Sequence, residues 1–164
     1  MADSIQSLAP YMVLESEVMK AMLDLAGIGP GDKYIDLGCG DGQFLVEAKL
    51  RGAIVSGIEM DAVLVAESIT KNLNVTQGDV FDADVSKMTA ITFWFTDEKL
   101  TPLLIDKLYA GMKKSARLVY IYHSRTQFRD GVLVPEECLR AIPHVWQPTQ
   151  SIEVLGNWIH LYIR

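Results

Sequence analysis

The sequence predicts an α/β fold: a mostly parallel sheet with helices on both faces, finished by an antiparallel hairpin. Stretches of helical apolar spacing alternate with short buried runs along most of the chain. Parallel strands need crossover connections, and that alternation supplies them. The last fifteen residues then break the pattern, with two alternating runs joined by a glycine turn.

Each element has its own signal. Val18, Met19, Met22, Leu23, Leu25 and Ala26 recur at helical spacing and stop at Gly27-Ile28-Gly29-Pro30-Gly31. Tyr34 to Leu37 reads as the first strand, and after a glycine turn Phe44, Leu45, Ala48 and Leu50 carry a helix that ends at Gly52. Ala53 to Ile58 is a second buried strand. Asp61 is the expected N-cap of a helix through Leu64, Val65 and Ile69, and Leu73 to Gln77 is a weaker third strand. Ala90 to Phe95 is the fourth strand. Leu100, Leu103, Leu104 and Leu108 mark a helix that tolerates Pro102 in its first turn and stops near Gly111. Arg117 to Tyr122 is the fifth strand, and Ile152 to Ile163 folds as a hairpin turning at Gly156-Asn157.

The 164 residues are of ordinary single-domain size and bury enough surface for one core without staples. With 21 acidic and 15 basic side chains the formal charge is −6. An acidic pI near 5.0 argues against a surface made to neutralise phosphates, so nucleic acid is a disfavoured partner. Cys39 and Cys138 lack the spacing of zinc ligands or a redox pair and read as reduced thiols; no metal is expected. Met1-Ala2-Asp3-Ser4 is unlike a secretory signal, and no apolar run approaches the roughly 20 residues of a membrane span. The expectation is a soluble, cytoplasmic protein with no membrane span.

The chemistry concentrates in Asp36-Leu37-Gly38-Cys39-Gly40-Asp41-Gly42, between the first strand and the second helix. Open α/β sheets bind ligands at that edge. The third glycine comes one residue too early for a dinucleotide loop, and no Gly-Lys-Ser/Thr of a P-loop follows. Asp36 and Asp41 would repel a pyrophosphate but suit a ligand carrying an ammonium and a sulfonium, as S-adenosylmethionine does. Glu59, at the end of the second strand, is positioned to accept from both ribose hydroxyls. Asp79, after the third strand, is positioned to accept from the adenine amino group. A plain tight connection between strand and helix explains the glycines alone but not three acids after three successive strands.

On these residues the chain resembles the class I S-adenosylmethionine-dependent methyltransferases over nearly its whole length. The glycine run is similar to that family's first motif, Glu59 to its second, Asp79 to its third and the terminal hairpin to its sixth and seventh strands. The resemblance implies a three-layer, Rossmann-like sheet of seven strands in the order 3-2-1-4-5-7-6. It implies one methyltransferase domain over 1–164, made of an N-terminal segment and helix (1–31), a cofactor-binding core (32–123) and a closing segment with the hairpin (124–164). S-adenosylmethionine would be held by Asp36, Gly38, Gly40, Asp41, Glu59, Asp79 and Val80. Pro10-Tyr11, the run Tyr34 to Gly42 and the aromatic strand ending Phe95-Thr96 are most similar to the small archaeal broad-specificity protein-lysine methyltransferases and their mitochondrial relatives.

Methyl transfer from a sulfonium needs an aligned nucleophile and little water, with no covalent intermediate. The resemblance implies that Trp94, Phe95 and Thr96 line the acceptor side and that Tyr11 closes over the methionine end of the cofactor. Aromatic faces can hold a lysine stem or head. Each has a structural alternative: Phe93 and Phe95 as core with Trp94 packing on the other face, and Tyr11 as an anchor for the first helix. Asp97 and Glu98 either attract a basic substrate segment or accept its proton, or else cap the next helix, and His123 either acts as a base or makes a structural bond. His144 and His160 are weaker candidates, and no residue is assigned as catalytic. Absence of an Asn/Asp-Pro-Pro-aromatic motif after the fourth strand weakens DNA as the acceptor. The expected activity is methylation of a protein lysine. The rivals are a small-molecule N- or O-methyltransferase and a non-catalytic S-adenosylmethionine-binding module.

Overall fold

A computed structural model describes residues 13–94, 100–122 and 148–164. Helix α1 (Ser16–Leu25) buries the stripe Val18, Met19, Met22 and Leu23, and ends as Ile28 N–H bonds back to Leu23 across Gly27. Then follow β1 (Lys33–Leu37), α2 (Gln43–Leu50), β2 (Ile54–Glu59), α3 (Ala62–Thr70) and β3 (Val75–Gln77). A single 3-10 turn at Val80–Asp82 leads to β4 (Ala90–Trp94), α4 (Leu100–Gly111) and β5 (Arg117–Tyr122). The described chain finishes with β6 (Gln150–Val154) and β7 (Asn157–Ile163). Asp61 caps α3 as expected, its side chain accepting from Val63 N–H at 2.8 Å and Leu64 N–H at 3.3 Å.

The strands form one sheet in the order β3-β2-β1-β4-β5-β7-β6. Pairing is parallel from β3 through β5 and antiparallel at β5-β7 and β7-β6. This is the predicted α/β topology, with the seventh strand inserted beside the fifth. Alternation along each strand divides the apolar residues between the two faces. Tyr34, Ala90, Val119, Ile121, Ile159 and Leu161 pack with α1 and α2, while Ile35, Leu37, Ile91, Phe93, Leu118, Tyr120 and Tyr162 pack with α4. On the second face Phe93 lies flat on Tyr120, ring centroids 5.0 Å apart. Such a sheet hides its middle strands on both sides, which is why β4 and β5 read as near-continuous apolar runs.

The amino-terminal edge of the sheet is tied down by Arg117. Its guanidinium donates to the carbonyls of Ala26 at 2.6 Å and Gly27 at 3.0 Å and pairs with Asp32. Asp32 also accepts from the Thr89 hydroxyl at 2.7 Å, so one cluster joins the end of α1 to β5 and the loop before β4. The carboxyl-terminal edge is thereby left to the functional loops.

The hairpin differs from expectation by one residue. Its turn is Leu155-Gly156, with φ of 50° and 78°, and Asn157 already pairs with Val154. Two positive φ values match the twist of the flanking strands. Asn157 serves the turn from the strand side, its amide donating to the carbonyls of Val154 and Leu155, both at 3.2 Å. Among the described residues no helix is long and apolar enough to cross a membrane.

Candidate functional site

Strand β1 lies between β2 and β4, so the order of strands reverses beside its carboxyl end. The chain connecting β1 to α2 starts at that point, where open α/β sheets form their ligand crevice. Gly38, Gly40 and Gly42 all take positive φ, and the Gly38 and Cys39 N–H groups both bond to the Ile58 carbonyl, at 2.9 and 3.1 Å. Ser68 on α3 adds a bond to the Gly40 carbonyl at 3.1 Å. Two glycines are required by space. A Cβ on Gly42 would stand 2.4 Å from Leu73 Cδ1, and one on Gly57 of β2 would stand 2.7 Å from Cys39 Sγ. The turn is therefore pressed onto β2 and α3 from several sides.

Asp36 is 5% exposed at the end of β1, beside Thr92 of β4 in the sheet register. The Thr92 hydroxyl donates to its Oδ1 at 2.6 Å. Burial pushes the Asp36 carboxyl up to about 7, the Thr92 bond opposing this and the charge of Glu59 adding to it. No Lys or Arg among the described residues is bonded to Asp36. Burial likewise raises the Cys39 thiol, with Asp36 and Glu59 adding, so Cys39 behaves as an apolar filler under the turn.

Glu59 ends β2 and draws three backbone donors together. Its Oε2 accepts from Gly40 N–H at 2.8 Å, and its Oε1 from Met60 at 2.8 Å and Asp61 at 2.9 Å. A carboxylate has about four acceptor positions, so these bonds use most of them. Glu59 can take one ribose hydroxyl on Oε2 as it stands; taking both requires release of one backbone donor. Asp79 caps the 3-10 turn through Phe81 N–H at 2.9 Å, and Val80 lies half-buried against the α4-side core. Asp41 is paired: Lys71 Nζ reaches its carboxylate at 2.9 Å and its carbonyl at 2.6 Å. The acids nearest the crevice without a Lys or Arg pair among the described residues are thus Asp36, Glu59 and Asp79.

On the acceptor side, Trp94 is half-buried at the end of β4 against the α1 core, and Phe93 is fully buried on the opposite face. Tyr11, Phe95 and Thr96 lie outside the described residues, as do Asp97, Glu98, His123, Cys138 and His144. His160 sits on β7 with its Nδ1 2.8 Å from the Ser151 hydroxyl, and burial lowers its pKa, which keeps it neutral within the sheet. Sequence reasoning missed Tyr34, Thr92 and Lys71. Two signals were present: a hydroxyl in the otherwise apolar fourth strand, and a tyrosine two residues before Asp36 on the same face.

Comparison with known proteins gives a consistent fold. Residues 19–96 match the family model described as "Methionine biosynthesis protein MetW". A protein-lysine N-methyltransferase of Saccharolobus islandicus is 27% identical over 122 residues, covering 67% of this chain and 74% of that protein. The ribosomal RNA small subunit methyltransferase A of Deinococcus radiodurans is 30% identical over 91 residues, and the match spans only 31% of that protein. The crystal structure of an RNA methyltransferase from Salinibacter ruber with S-adenosyl-L-homocysteine superposes with a TM-score of 0.74, covering 93% of both chains at 22% identity. The fold is that of the class I methyltransferases, and these relatives differ among themselves in acceptor.

Proposed function

We propose that this S-adenosylmethionine-dependent methyltransferase delivers its methyl group to the side-chain amine of a protein lysine. The observation that carries the cofactor half is that Asp36 and Glu59 stand at the carboxyl ends of β1 and β2, with Glu59 bonded to Gly40 of the glycine turn, and that Asp79 stands just past the parallel β3 on the same edge of the sheet. A buried carboxylate with no cation bonded to it among the described residues complements a ligand ammonium, Glu59 complements one ribose hydroxyl, and Asp79 complements the adenine amine. Bound there, S-adenosylmethionine supplies a methyl group on a cationic sulfur, ready for in-line displacement. The turn Gly38–Gly42 brings backbone close to the ligand, Glu59 keeps the turn in place through Gly40, and Asp36 fixes the ligand's charged end. We further assign Gly38, Gly40, Asp41 and Val80 to the walls of this pocket and treat residues 1–164 as one methyltransferase domain.

The acceptor half rests on the lysine-modifying relative, which matches two thirds of this chain and nearly three quarters of its own length. A net charge of −6 also suits a basic protein segment better than a polyphosphate. At pH 7 a lysine amine of ordinary pKa, about 10.4, must give up its proton at a cost of roughly 4–5 kcal/mol. Burial beside a cationic ligand favours the neutral amine, so the chain need only provide a dry, aromatic-edged entrance. Trp94, with Tyr11, Phe95 and Thr96, is our assignment for that entrance.

Methyl-labelled S-adenosylmethionine, the chain and cell extract separated into protein, RNA and metabolite pools test this reading. Label recovered from the protein pool as Nε-methyl-lysine supports it. Label confined to RNA or to metabolites overturns the lysine assignment while leaving the methyltransferase standing, and S-adenosylmethionine binding without transfer to any pool points to a binding module.

A further inference from the structure

Behind the Asp36 carboxylate lies a second polar layer that cofactor contacts do not account for. Tyr34 and Asp36 are two residues apart on β1 and share a face, and the β1-β4 register sets Thr92 beside Asp36. The Tyr34 hydroxyl is 2.5 Å from Thr92 Oγ1, which donates in turn to Asp36 Oδ1 at 2.6 Å. Tyr34 and Thr92 are both 0% exposed. Their surroundings on that face are apolar: Ala90, Val119, Leu45 and Ala48. Phenylalanine and valine would fill the same space without desolvating two hydroxyls.

We propose that Tyr34 and Thr92 are positioning residues for Asp36, a buried hydroxyl relay that orients its carboxylate and favours the charged form that receives the cofactor's ammonium. The inference rests on the reading of Asp36 as a cofactor contact. Each hydroxyl has a single proton, so the relay has two directions. When Asp36 is an anion, Tyr34 donates to Thr92 and Thr92 donates to Asp36. When Asp36 is protonated, its own proton can point to Thr92 and the order reverses. A cationic ligand selects the first direction, and the Tyr34 bond makes Thr92 the stronger donor. Among the described residues, the other ionisable groups that act on Asp36 or Tyr34 are Glu59 at the end of β2 and Cys39 in the turn, neither of which brings a positive charge. Among the described residues, the Thr92 hydroxyl is therefore the group that favours the charged form before the ligand arrives.

Two measurements test this separately: the carbon-13 carboxyl titration of Asp36 in the free chain, and calorimetric S-adenosylmethionine affinity from pH 5.5 to 9. Thr92→Val should raise the Asp36 midpoint by about one pH unit, and weaken binding about tenfold below the midpoint but little above it. Thr92→Ser should restore both, and Tyr34→Phe should shift them in the same direction by less. Affinity lost equally at every pH, or an Asp36 midpoint unchanged in the free Thr92→Val chain, would show a packing role and overturn the relay. If Thr92→Val does not fold, the contrast between Tyr34→Phe and Thr92→Ser decides, and an unshifted Tyr34→Phe midpoint overturns it. Asp36→Asn binding S-adenosylmethionine like the parent across the pH range would overturn the cofactor reading instead, because the free-chain titration reports on the relay without any ligand.

Discussion

Replacing Asp36 by asparagine should make the free chain more stable and a poorer ligand binder, and the size of the first effect follows from its burial. The folded chain holds the Asp36 proton up to about pH 7, whereas the unfolded chain releases it near the ordinary value of 3.8. Between those limits the native state binds the extra proton, so stability falls as the pH rises through that window. The gap, at about 1.4 kcal/mol per pH unit, amounts to about 4 kcal/mol by pH 8 and to less than about 1 kcal/mol at pH 4. Asparagine removes the buried charge and keeps an acceptor for Thr92, but its amide N–H must find a partner, which takes back part of the gain. We expect a net stabilisation of about 2–4 kcal/mol at pH 8, a melting point higher by something on the order of 10 °C. Urea unfolding of both chains without ligand, at pH 4 and pH 8, reads it directly. A variant no more stable than its parent at pH 8, or a gain of the same size at both pH values, would show that Asp36 carries no buried-charge penalty. The parent's lower stability is what keeping a buried acid for a cationic ligand implies.

Three further substitutions examine the scaffold. Gly57→Ala forces a Cβ to within 2.7 Å of Cys39 Sγ and 2.8 Å of Leu45 Cδ1. It should destabilise the chain by about 1–3 kcal/mol in a denaturant titration, and an unchanged midpoint would contradict the close packing of turn on strand. Asp79→Ala removes the cap of the 3-10 turn, so thermal unfolding should show a loss of about 1 kcal/mol together with weaker S-adenosylmethionine binding. Leu155→Asn places Asn-Gly at a turn whose first residue has φ 50° and is 58% exposed. Relief of the left-handed strain should raise stability by about 1 kcal/mol, and a lower melting temperature would count against the turn assignment.

The sequence makes the architecture legible because local signals and topology agree: each crossover helix follows a buried run, and Asp61 caps the helix it was expected to cap. The acids were visible for the same reason, since Asp36 and Glu59 stand at the ends of strands, Asp79 stands just past one, and the carboxyl edge is where parallel strands point. Their partners were not. Thr92 stands 56 residues from Asp36, and Lys71 stands 30 from Asp41, so no local pattern links either pair. They meet because β4 pairs with β1 and because α3 folds back over the glycine turn, facts of register rather than of period. The hairpin turn slipped by one residue for a related reason. Asparagine and glycine are favoured in such turns, but here Asn157 serves from the first strand position while Leu155 accepts the unfavourable φ. Gly57 read as an ordinary strand residue, since only the folded chain brings Cys39 and Leu45 against it.

Titration calorimetry with S-adenosylmethionine and with NAD, on the parent chain and on Glu59→Ala, tests the central claim most directly. S-adenosylmethionine should bind saturably and NAD not at all. Glu59→Ala should lose at least about tenfold in affinity, corresponding to a hydrogen bond to a charged group of about 1.5–3 kcal/mol. Tight NAD binding, or unchanged S-adenosylmethionine affinity in Glu59→Ala, would contradict the assignment of this crevice as the cofactor site.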